Sequence, residues 1–320
     1  MAYARHRWSS DFAPGGESAQ TDLVHRAAYR VGTASWTDPT LLATDFYPPD
    51  ARTPETRLRF YATLFDTVEV DSTYYALPSE RNAVAWAKRT PEDFVFHIKA
   101  YAWLTRHDAE VRMLPAALRE QMPTPDGANK RTPCPSTALL RESFRLFLGA
   151  LAPLADAGKL GHLLFQFPPW FRASAANRDY IELCRTLCDG HSLAIEFRHA
   201  SWYADDAEQT VDFLKARDLT LVVTDTPQAP SIPLTPVELT SDRAYVRLHG
   251  RDRNAWFKRG ATAAQRFQYL YSDAELAEVA RRIQPLQAAR TVDVLFNNCH
   301  GDYGVRGALA MKALLPPERR

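Results

Sequence analysis

Eight short apolar runs recur along the chain, and stretches with helical periodicity separate most of them. Apolar runs that alternate with helices are typical of a parallel sheet, because two parallel strands need a long crossover connection. Eight repeats in one chain predict a closed (β/α)8 barrel of the TIM type, with a doubly wound open sheet as the alternative. No glycine-rich dinucleotide loop follows the first run, which favours the barrel. The eight runs are RVGTAS (30–35), TVEVDS (67–72), FVFHIKA (94–100), GHLLFQF (161–167), LAIEFR (193–198), LTLVVTD (219–225), AYVRLH (244–249) and VDVLFNN (292–298).

The bulk composition fits one large domain without a global charge. The chain has 320 residues, of which 46% are hydrophobic, and its formal net charge is +1. So small a net charge gives the protein no overall field that attracts nucleic acid or membranes, so any electrostatic preference must be local. We expect a polar, mobile N-terminal arm over residues 1–28 and a single barrel domain over residues 29–320. The oligomeric state stays open.

Cysteine usage and hydropathy indicate the compartment. No segment approaches the roughly 20 apolar residues that a membrane span requires, so we expect no membrane partner. The cysteines form no C-x-x-C pair and no evident disulfide framework, which is typical of a reducing compartment. We therefore expect a cytoplasmic protein. The four cysteines are Cys134, Cys184, Cys188 and Cys299.

Two long insertions interrupt the alternation, over residues 101–137 after the third strand and residues 250–271 after the seventh. Connections of this length are uncommon and are often lids or binding loops. Each insertion follows a strand and precedes a helix. In a (β/α)8 barrel both would therefore lie at the carboxyl rim, where active sites of this fold are found.

Polar side chains fall on one parity of the strands. In LAIEFRH (193–199), Leu193, Ile195 and Phe197 share one face, whereas Glu196 and Arg198 lie on the other, because side chains alternate along a strand. If the apolar parity of each strand packs against the helices, the polar parity lines the barrel. The residues predicted to face inward are Thr33, Ser35, Glu69, Asp71, His97, Lys99, His162, Gln166, Glu196, Arg198, Asp225, Arg247, His249, Asp293 and Asn297.

Depth along the strands separates these residues into two groups. Glu69, His97, His162 and Asp293 lie early in their strands, and we expect them to pair with one another inside the barrel. Later positions are where this fold places its chemistry, and burying many ionisable groups for stability alone is costly. We expect functional roles for the later residues Asp71, Lys99, Glu196, Arg198, His249 and Asn297.

Several motifs resemble the DUF72 family, the YecE-like proteins of bacteria and archaea. The resemblance covers roughly residues 30 to 315 and implies a TIM-barrel fold, but the family supplies no established reaction. Asp71 stands where the family pattern has asparagine. The matching motifs are VGTASW (31–36), FYPP (46–49), VEVDSTYYALPS (68–79), FVFHIKA (94–100), LLFQFPPWF (163–171), AIEFRHASW (194–202), YVRLHGR (245–251) and FNNCHGDYGVRGALAM (296–311).

The inward-facing polar residues at the carboxyl end of the barrel form what we call the cup. Its cations Lys99, Arg198 and Arg247, together with basic residues of the second insertion, indicate an anionic ligand. Guanidinium groups bind oxyanions in bidentate fashion, and aromatic residues among cations can stack bases or sugars. We expect a small anionic or phosphorylated ligand, with nucleic acid as a further candidate, although the loop could also be a docked cover with solvated charges. The basic residues of that loop are Arg251, Arg253, Lys258, Arg259 and Arg266. The candidate substrate-binding residues are Lys99, Arg198, Arg247, Asn297, Asn298, Trp36, Tyr74, Gln166 and Arg251.

Acids and imidazoles supply candidate catalytic groups. Glu196 is predicted as general acid or base, His249 as proton shuttle and Asp71 as an additional proton acceptor. No cofactor is certain, although a divalent metal (Mg, Mn or Zn) is a candidate, because carboxylates and imidazoles are its ligands. Lys99 and Arg198 would instead neutralise the carboxylates without a metal, and both alternatives stay open. The candidate metal ligands are Asp71, Glu196, Asp225, His249 and His300.

Three functions remain open at this point. The first is an enzyme acting on a phosphorylated or nucleic-acid-derived substrate, most concretely a phosphodiester hydrolase or repair-type nuclease. The second is a non-catalytic barrel that binds a small anion or nucleic acid, since this fold hosts many activities. The third is a glycoside hydrolase, which would need two carboxyl groups roughly 5 to 10 Å apart, with Asp71 or Asp225 paired with Glu196.

Overall fold

A closed barrel of eight parallel strands forms the protein, which confirms the predicted (β/α)8 architecture. The computed structural model describes residues 27–122, 131–203, 207–227, 229, 232, 234–258, 260 and 263–316. Each strand pairs with its neighbours in chain order, and the last strand pairs with the first. The barrel strands are β1 (Ala28–Ala34), β2 (Thr67–Val70), β3 (Val95–Lys99), β4 (Leu160–Gln166), β5 (Leu193–Glu196), β6 (Thr220–Asp225), β7 (Arg243–Leu248) and β8 (Thr291–Phe296).

Helices follow seven of the eight strands and pack around the barrel, whereas the described residues between β6 and β7 contain no helix. The second helix begins at Pro54, where Thr53 Oγ1 caps it by accepting a hydrogen bond of 3.1 Å from Thr56 N. The helices are α1 (Pro39–Leu42), α2 (Pro54–Leu64), α3 (Glu80–Arg89), α4 (Ala116–Arg119), α5 (Thr137–Asp156), α6 (Ala175–Leu187), α7 (Ala207–Lys215), α8 (Arg253–Phe257), α9 (Ala263–Arg266), α10 (Asp273–Arg282) and α11 (Tyr303–Leu314). Short 3-10 helices span Ser72–Tyr74, Ala102–Thr105, Val111–Met113, Ala200–Trp202 and Gln284–Ala288. None of the helices in the described ranges is long and apolar enough to cross a membrane.

The strands divide the apolar residues between two cores. The outer core lies between strands and helices, and Phe197 and Leu248 belong to it, as the predicted parity requires. Inside the barrel a small second cluster forms one apolar layer, as is usual for this fold. Its members are Leu164, Ala194, Val222, Tyr245 and Leu295.

The predicted polar parity is confirmed in β2 to β5, β7 and β8, and it is wrong in β1. Thr33 pairs in register with Val68 and Phe296, and its hydroxyl lies 2.9 Å from the hydroxyl of Tyr61 in α2, so it faces the helices. The inner side of β1 has little room, because a Cβ on Gly32 would lie 2.0 Å from the carbonyl oxygen of Thr67. On the helix side, the hydroxyl of Tyr61 is a hydrogen-bond partner for Thr33. The residue types of β1 alone did not indicate this contact.

The prediction that Asp225 faces the barrel interior is also wrong. Val222 belongs to the inner cluster, so Asp225, three residues later, lies on the opposite parity. The whole of β6 is buried, with apolar residues on both faces, so alternation of hydrophobicity carried no signal there.

Both insertions follow strand ends at the carboxyl rim. The first contains two 3-10 helices, a small antiparallel pair (Ala109–Glu110 with Arg131–Thr132) and α4. The second contains α8 and α9. The proposed N-terminal arm falls almost wholly on residues 1–26, outside the described residues, as does Arg259 of the second insertion.

Candidate active site

The deepest polar group in the barrel is a buried cluster around Asp293. Both carboxylate oxygens of Asp293 accept hydrogen bonds from Arg30, at 2.7 and 3.0 Å. His97 Nε2 and His162 Nδ1 lie 3.3 and 3.6 Å from the same carboxylate. The expected pairing of the deeper polar residues with one another is therefore confirmed at this level.

The hydrogen-bond pattern of this cluster does not suit a metal ion. His97 Nδ1 accepts a hydrogen bond of 2.9 Å from the backbone N–H of His162, so the neutral ring carries its proton on Nε2, facing Asp293. A protonated nitrogen offers no lone pair, and Arg30 already occupies both carboxylate oxygens. Burial lowers the pKa of His162 well below its ordinary value, which keeps that ring neutral. The cluster is a closed structural network.

Arg247 of β7 dominates the next polar layer. Its Nε and Nη2 donate hydrogen bonds of 2.9 and 2.6 Å to Glu69, and its Nη1 donates one of 2.5 Å to Glu196 and one of 3.2 Å to Gln166. Tyr245 adds a hydrogen bond of 2.9 Å to Glu69. Arg247 is fully buried, and these partners engage its donors. The predicted substrate-binding role of Arg247 is therefore replaced by a supporting one.

Glu196 is fully buried and held by cations on two sides. Its Oε1 lies 2.5 Å from Arg198 Nη2, and its Oε2 lies 2.5 Å from Arg247 Nη1. Burial alone would raise the pKa of Glu196, but Arg198, Arg247 and His249 together lower it well below the ordinary value. Sequence reasoning expected a carboxyl group balanced near neutral pH, whereas this one stays ionised and is suited to positioning the two arginines.

His249 follows β7 and is neutral. Its Nδ1 lies 2.9 Å from Asn297 Nδ2, and its Nε2 lies 3.3 Å from Arg198 Nη2 and 3.4 Å from Glu196 Oε1. Burial, reinforced by Arg198, lowers the pKa of His249 to about 3. A ring with that pKa is not a proton shuttle at neutral pH, so Asn297 and His249 serve to orient Glu196.

Asp71 and Lys99 stand side by side at the rim. Val70 pairs in register with Ile98, so the next residues, Asp71 and Lys99, lie at the same level on neighbouring strands. Both point inward, since they share the parity of Glu69 and His97. The hydroxyl of Thr73 ties the two strand ends together by hydrogen bonds of 2.9 Å to Val70 O and 2.6 Å to Lys99 O.

These two residues differ from the other charged groups of the barrel in having no fixed partner. No hydrogen bond or ion pair joins either side chain to another residue in the part of the chain that the structure describes; Lys99 Nζ lies 4.8 Å from the ring centre of Tyr74. Burial and then Arg247 lower the pKa of Lys99 to about 8, although Glu69 and Asp71 oppose them. Burial raises the pKa of Asp71, while Lys99 opposes that shift.

Aromatic side chains from the insertions surround the rim. Trp256 of α8 lies over Arg198, with 5.3 Å between the guanidinium carbon and the ring centre, and 5.9 Å from the His249 ring. Asp252 caps α8 by accepting hydrogen bonds from Asn254 N and Ala255 N, which fixes this segment. The second insertion therefore covers one side of the cup.

His107 on the opposite side was missed by sequence reasoning. Its ring packs edge-on against Tyr74 at 5.2 Å and against the 65% exposed Trp170 at 5.7 Å. Burial and then the charge of Lys99 lower the pKa of His107 to about 4. The protonation of His107 therefore responds to the charge of Lys99 in the cup. The one available signal was its position in the first insertion, because no periodicity marks a residue there.

Five predicted site residues lie away from the cup. Trp36 packs edge-on against Trp86 and Phe96 on the helix side of the barrel. Arg251 forms a bidentate pair with Asp225, at 2.9 and 2.7 Å, on the outer face of the barrel. His300 contacts Tyr303 of α11.

Asn298 is fully buried beside the second insertion, where its Nδ2 donates a hydrogen bond of 2.7 Å to Tyr269 O. Two of the five predicted metal ligands, Glu196 and His249, lie 3.4 Å apart. The group of three potential metal ligands found within the described ranges is instead His97, His162 and Asp293, none of which was a predicted ligand.

The arrangement leaves a short list of groups able to act on a ligand. Lys99 Nζ is unpaired, and the Nε–H of Arg198 is buried without a hydrogen-bond partner in the described residues. An unsatisfied buried N–H is costly, so a ligand oxygen at that point would be favoured. Asp71 is the one predicted catalytic acid that the arginines do not hold. The cup can therefore bind an anion and exchange a proton with it.

Comparison with known proteins finds relatives along almost the whole chain. The family model described as "Protein of unknown function DUF72" matches residues 30–320. The UPF0759 protein YunF of Bacillus subtilis (strain 168) is 31% identical over 295 residues, covering 90% of this chain and 95% of that protein. A crystal structure of a DUF72 family protein from Thermotoga maritima has a TM-score of 0.71 and 29% identity, covering 90% of this chain and 98% of that one. One from Enterococcus faecalis V583 also has a TM-score of 0.71, with 26% identity and coverages of 91% and 99%.

Proposed function

The chain belongs to the DUF72 family, whose description assigns no function, and we propose one from the rim of its barrel. The protein is an enzyme that binds a small organic anion with Lys99 and Arg198 and uses Asp71 as its general acid and base. The observation that carries this proposal is that Asp71 and Lys99 lie side by side at the rim, ionisable and without structural partners in the described residues.

Arg198 and Lys99 supply the anion site from two sides of the cup. Arg198 is anchored by Glu196 through Nη2, which leaves its Nε–H for a ligand. A guanidinium group that is already oriented binds a carboxylate or phosphate with little further loss of conformational freedom. The ring of Trp256 lies over the guanidinium group of Arg198, 5.3 Å from its carbon, and covers one side of it.

Asp71 is the group best suited to proton transfer. Efficient general acid–base catalysis needs a pKa nearer to the working pH than that of a free aspartic acid, and burial moves the pKa of Asp71 in that direction. The pKa values of Glu196 and His249 both move away from neutral pH. Glu196 therefore stays charged and His249 stays neutral. They act as positioning residues for Arg198.

A phosphodiester hydrolase or nuclease is a narrower form of this proposal. A phosphate group fits Lys99 and Arg198, and the exposed Arg253 and Lys258 of the second insertion could extend the site toward a polyanion. A glycoside hydrolase is less favoured, because it needs two catalytic carboxyl groups and Glu196 is held by two arginines.

Thermal melts with small anions test the binding step. Inorganic phosphate, glycolate and glycerol 3-phosphate are the probes, and at least one should raise the melting temperature of the wild-type protein. Lys99→Met should lose most of that increase, whereas Lys88→Met, a matched change of an exposed lysine, should keep it. Equal stabilisation of the wild type and Lys99→Met by every probe would contradict the proposed site.

Asp71→Asn separates an enzyme from a non-catalytic binder. This change keeps the size of the side chain and removes its proton transfer, so the variant should retain the stabilisation by the anion. Turnover of a hydrolysable or isomerisable analogue of that anion should fall by at least about a hundredfold, the usual contribution of general acid–base catalysis. Unchanged turnover in Asp71→Asn would rule out its catalytic role.

A further inference from the structure

We propose that Lys99 is a nucleophilic amine that forms an imine with a carbonyl group of the substrate. The substrate class is then an aldehyde or ketone that also carries a carboxylate or phosphate. The inference rests on the proposed function, because Arg198 must hold the anionic group while the carbonyl carbon approaches Lys99 Nζ.

The position of Lys99 allows its amine to reach a ligand. It is the last residue of β3, at the rim where this fold places reacting groups, and Thr73 fixes its backbone. The Nζ atom has the face of Tyr74 on one side and, within the described residues, no hydrogen-bond acceptor to hold it. Lys159 provides a contrast, since its Nζ donates hydrogen bonds of 2.7 to 3.1 Å to Ala87 O, Thr90 O and Thr90 Oγ1.

The surroundings favour the neutral, reactive form of this amine. Lysine nucleophiles are activated by desolvation or by a neighbouring cation, and Lys99 has both, with Arg247 as the cation. With a pKa of about 8, roughly a tenth of the Lys99 amines are unprotonated at pH 7. An ordinary surface lysine has fewer than one neutral amine in a thousand at that pH.

The reaction needs only the amine, the carbonyl compound and a proton carrier. The lone pair of Nζ forms a bond to the carbonyl carbon, and the C=O π pair moves to oxygen. Asp71 accepts a proton from the nitrogen and passes it to that oxygen, which gives a hydroxyl group. A second proton, which Asp71 takes up from solvent, converts the hydroxyl group to water, and the water leaves as the nitrogen lone pair forms the C=N bond of the iminium group. The resulting iminium group withdraws electrons from the adjacent carbon, so it would assist proton removal or carbon–carbon cleavage there.

Borohydride trapping tests the imine directly. The full-length protein is incubated with glyoxylate or pyruvate at limiting concentration, reduced with sodium borohydride and mapped by peptide mass spectrometry. We expect one dominant adduct on Lys99, formed faster as the pH rises to about 8 and no faster above it. Lys99→Arg, which keeps the cation, should lose the adduct. Lys88→Arg, a matched change of an exposed lysine, should keep it.

The outcomes separate this inference from the proposed function. Labelling that is spread over surface lysines and unchanged in Lys99→Arg would overturn the imine. If glycolate and phosphate still stabilise the wild type but not Lys99→Met, the anion site stands and only the imine fails. If no probe binds at all, the proposed function fails with it. Circular dichroism of Lys99→Arg checks that a lost adduct does not reflect a lost fold.

Discussion

Glu196 Oε2 lies 2.5 Å from Arg247 Nη1, and both side chains are fully buried. This ion pair sits in the middle of the barrel, where Arg247 also binds Glu69. Removing the charge of Glu196 leaves Arg198 and Arg247 partly uncompensated in the interior. We therefore expect Glu196→Gln to lose about 3 to 5 kcal/mol of folding free energy, the usual cost of breaking a buried pair. Chemical denaturation at neutral pH measures this loss.

Glu278→Gln is the matched control for that change. Glu278 also pairs with an arginine, Arg251, but its side chain is 57% exposed. An exposed pair contributes at most about 1 kcal/mol, because solvent screens it. If the two variants lose similar free energy, Glu196 does not have the structural role assigned to it.

Lys99 should make stability depend on pH in the alkaline range. Its pKa falls from the ordinary 10.5 to about 8 in the folded protein, so between these values the unfolded chain binds more protons. Stability therefore rises as the pH increases from 8 to 10.5, by on the order of 3 kcal/mol at most. Lys99→Met should remove this rise, and the difference between the two proteins in urea unfolding across this range is the measurement. Parallel stability curves for wild type and variant would contradict the buried position of the amine.

The second insertion offers a test of nucleic-acid binding. Arg253 and Lys258 are exposed next to α8, so a polyanion on this surface would release counterions from both contacts. We expect the double alanine variant to bind single-stranded DNA or RNA more weakly and with a flatter dependence on salt. Fluorescence anisotropy at several salt concentrations measures the effect. If the wild-type protein shows no salt-dependent binding, the second insertion only covers the cup and does not bind nucleic acid.

The barrel could be predicted from the sequence because alternating strands and helices follow from local periodicity. The prediction of which side chains face inward was wrong in two strands whose pattern is ambiguous. Strand β6 is apolar on both faces. In β1, Thr33 is polar on the helix side, because its hydroxyl has Tyr61 as a partner there. Ordinary alternation does identify the inner residues of β5 and β7 correctly.

The roles of the inner residues could not be predicted in the same way. Whether Glu196 is free or held depends on which arginine reaches it across the barrel, and Arg247 lies 51 residues away in the chain. Asp71 and Lys99 were both candidates, but only the register of β2 with β3 shows that they are neighbours. His107 comes from an insertion, whose path no strand pattern determines.

The pKa of the Lys99 amine, measured with and without an anion, shows whether a buried amine that binds anions lies at the rim of the barrel. Protein labelled with 13C at lysine Cε is titrated by NMR, and the Lys99 signal is identified by its absence in Lys99→Arg. We expect a pKa of about 8 in the free protein and a higher value when phosphate or glycolate occupies the cup, since an anion favours the charged form. A pKa near 10.5 that no anion changes would contradict this expectation.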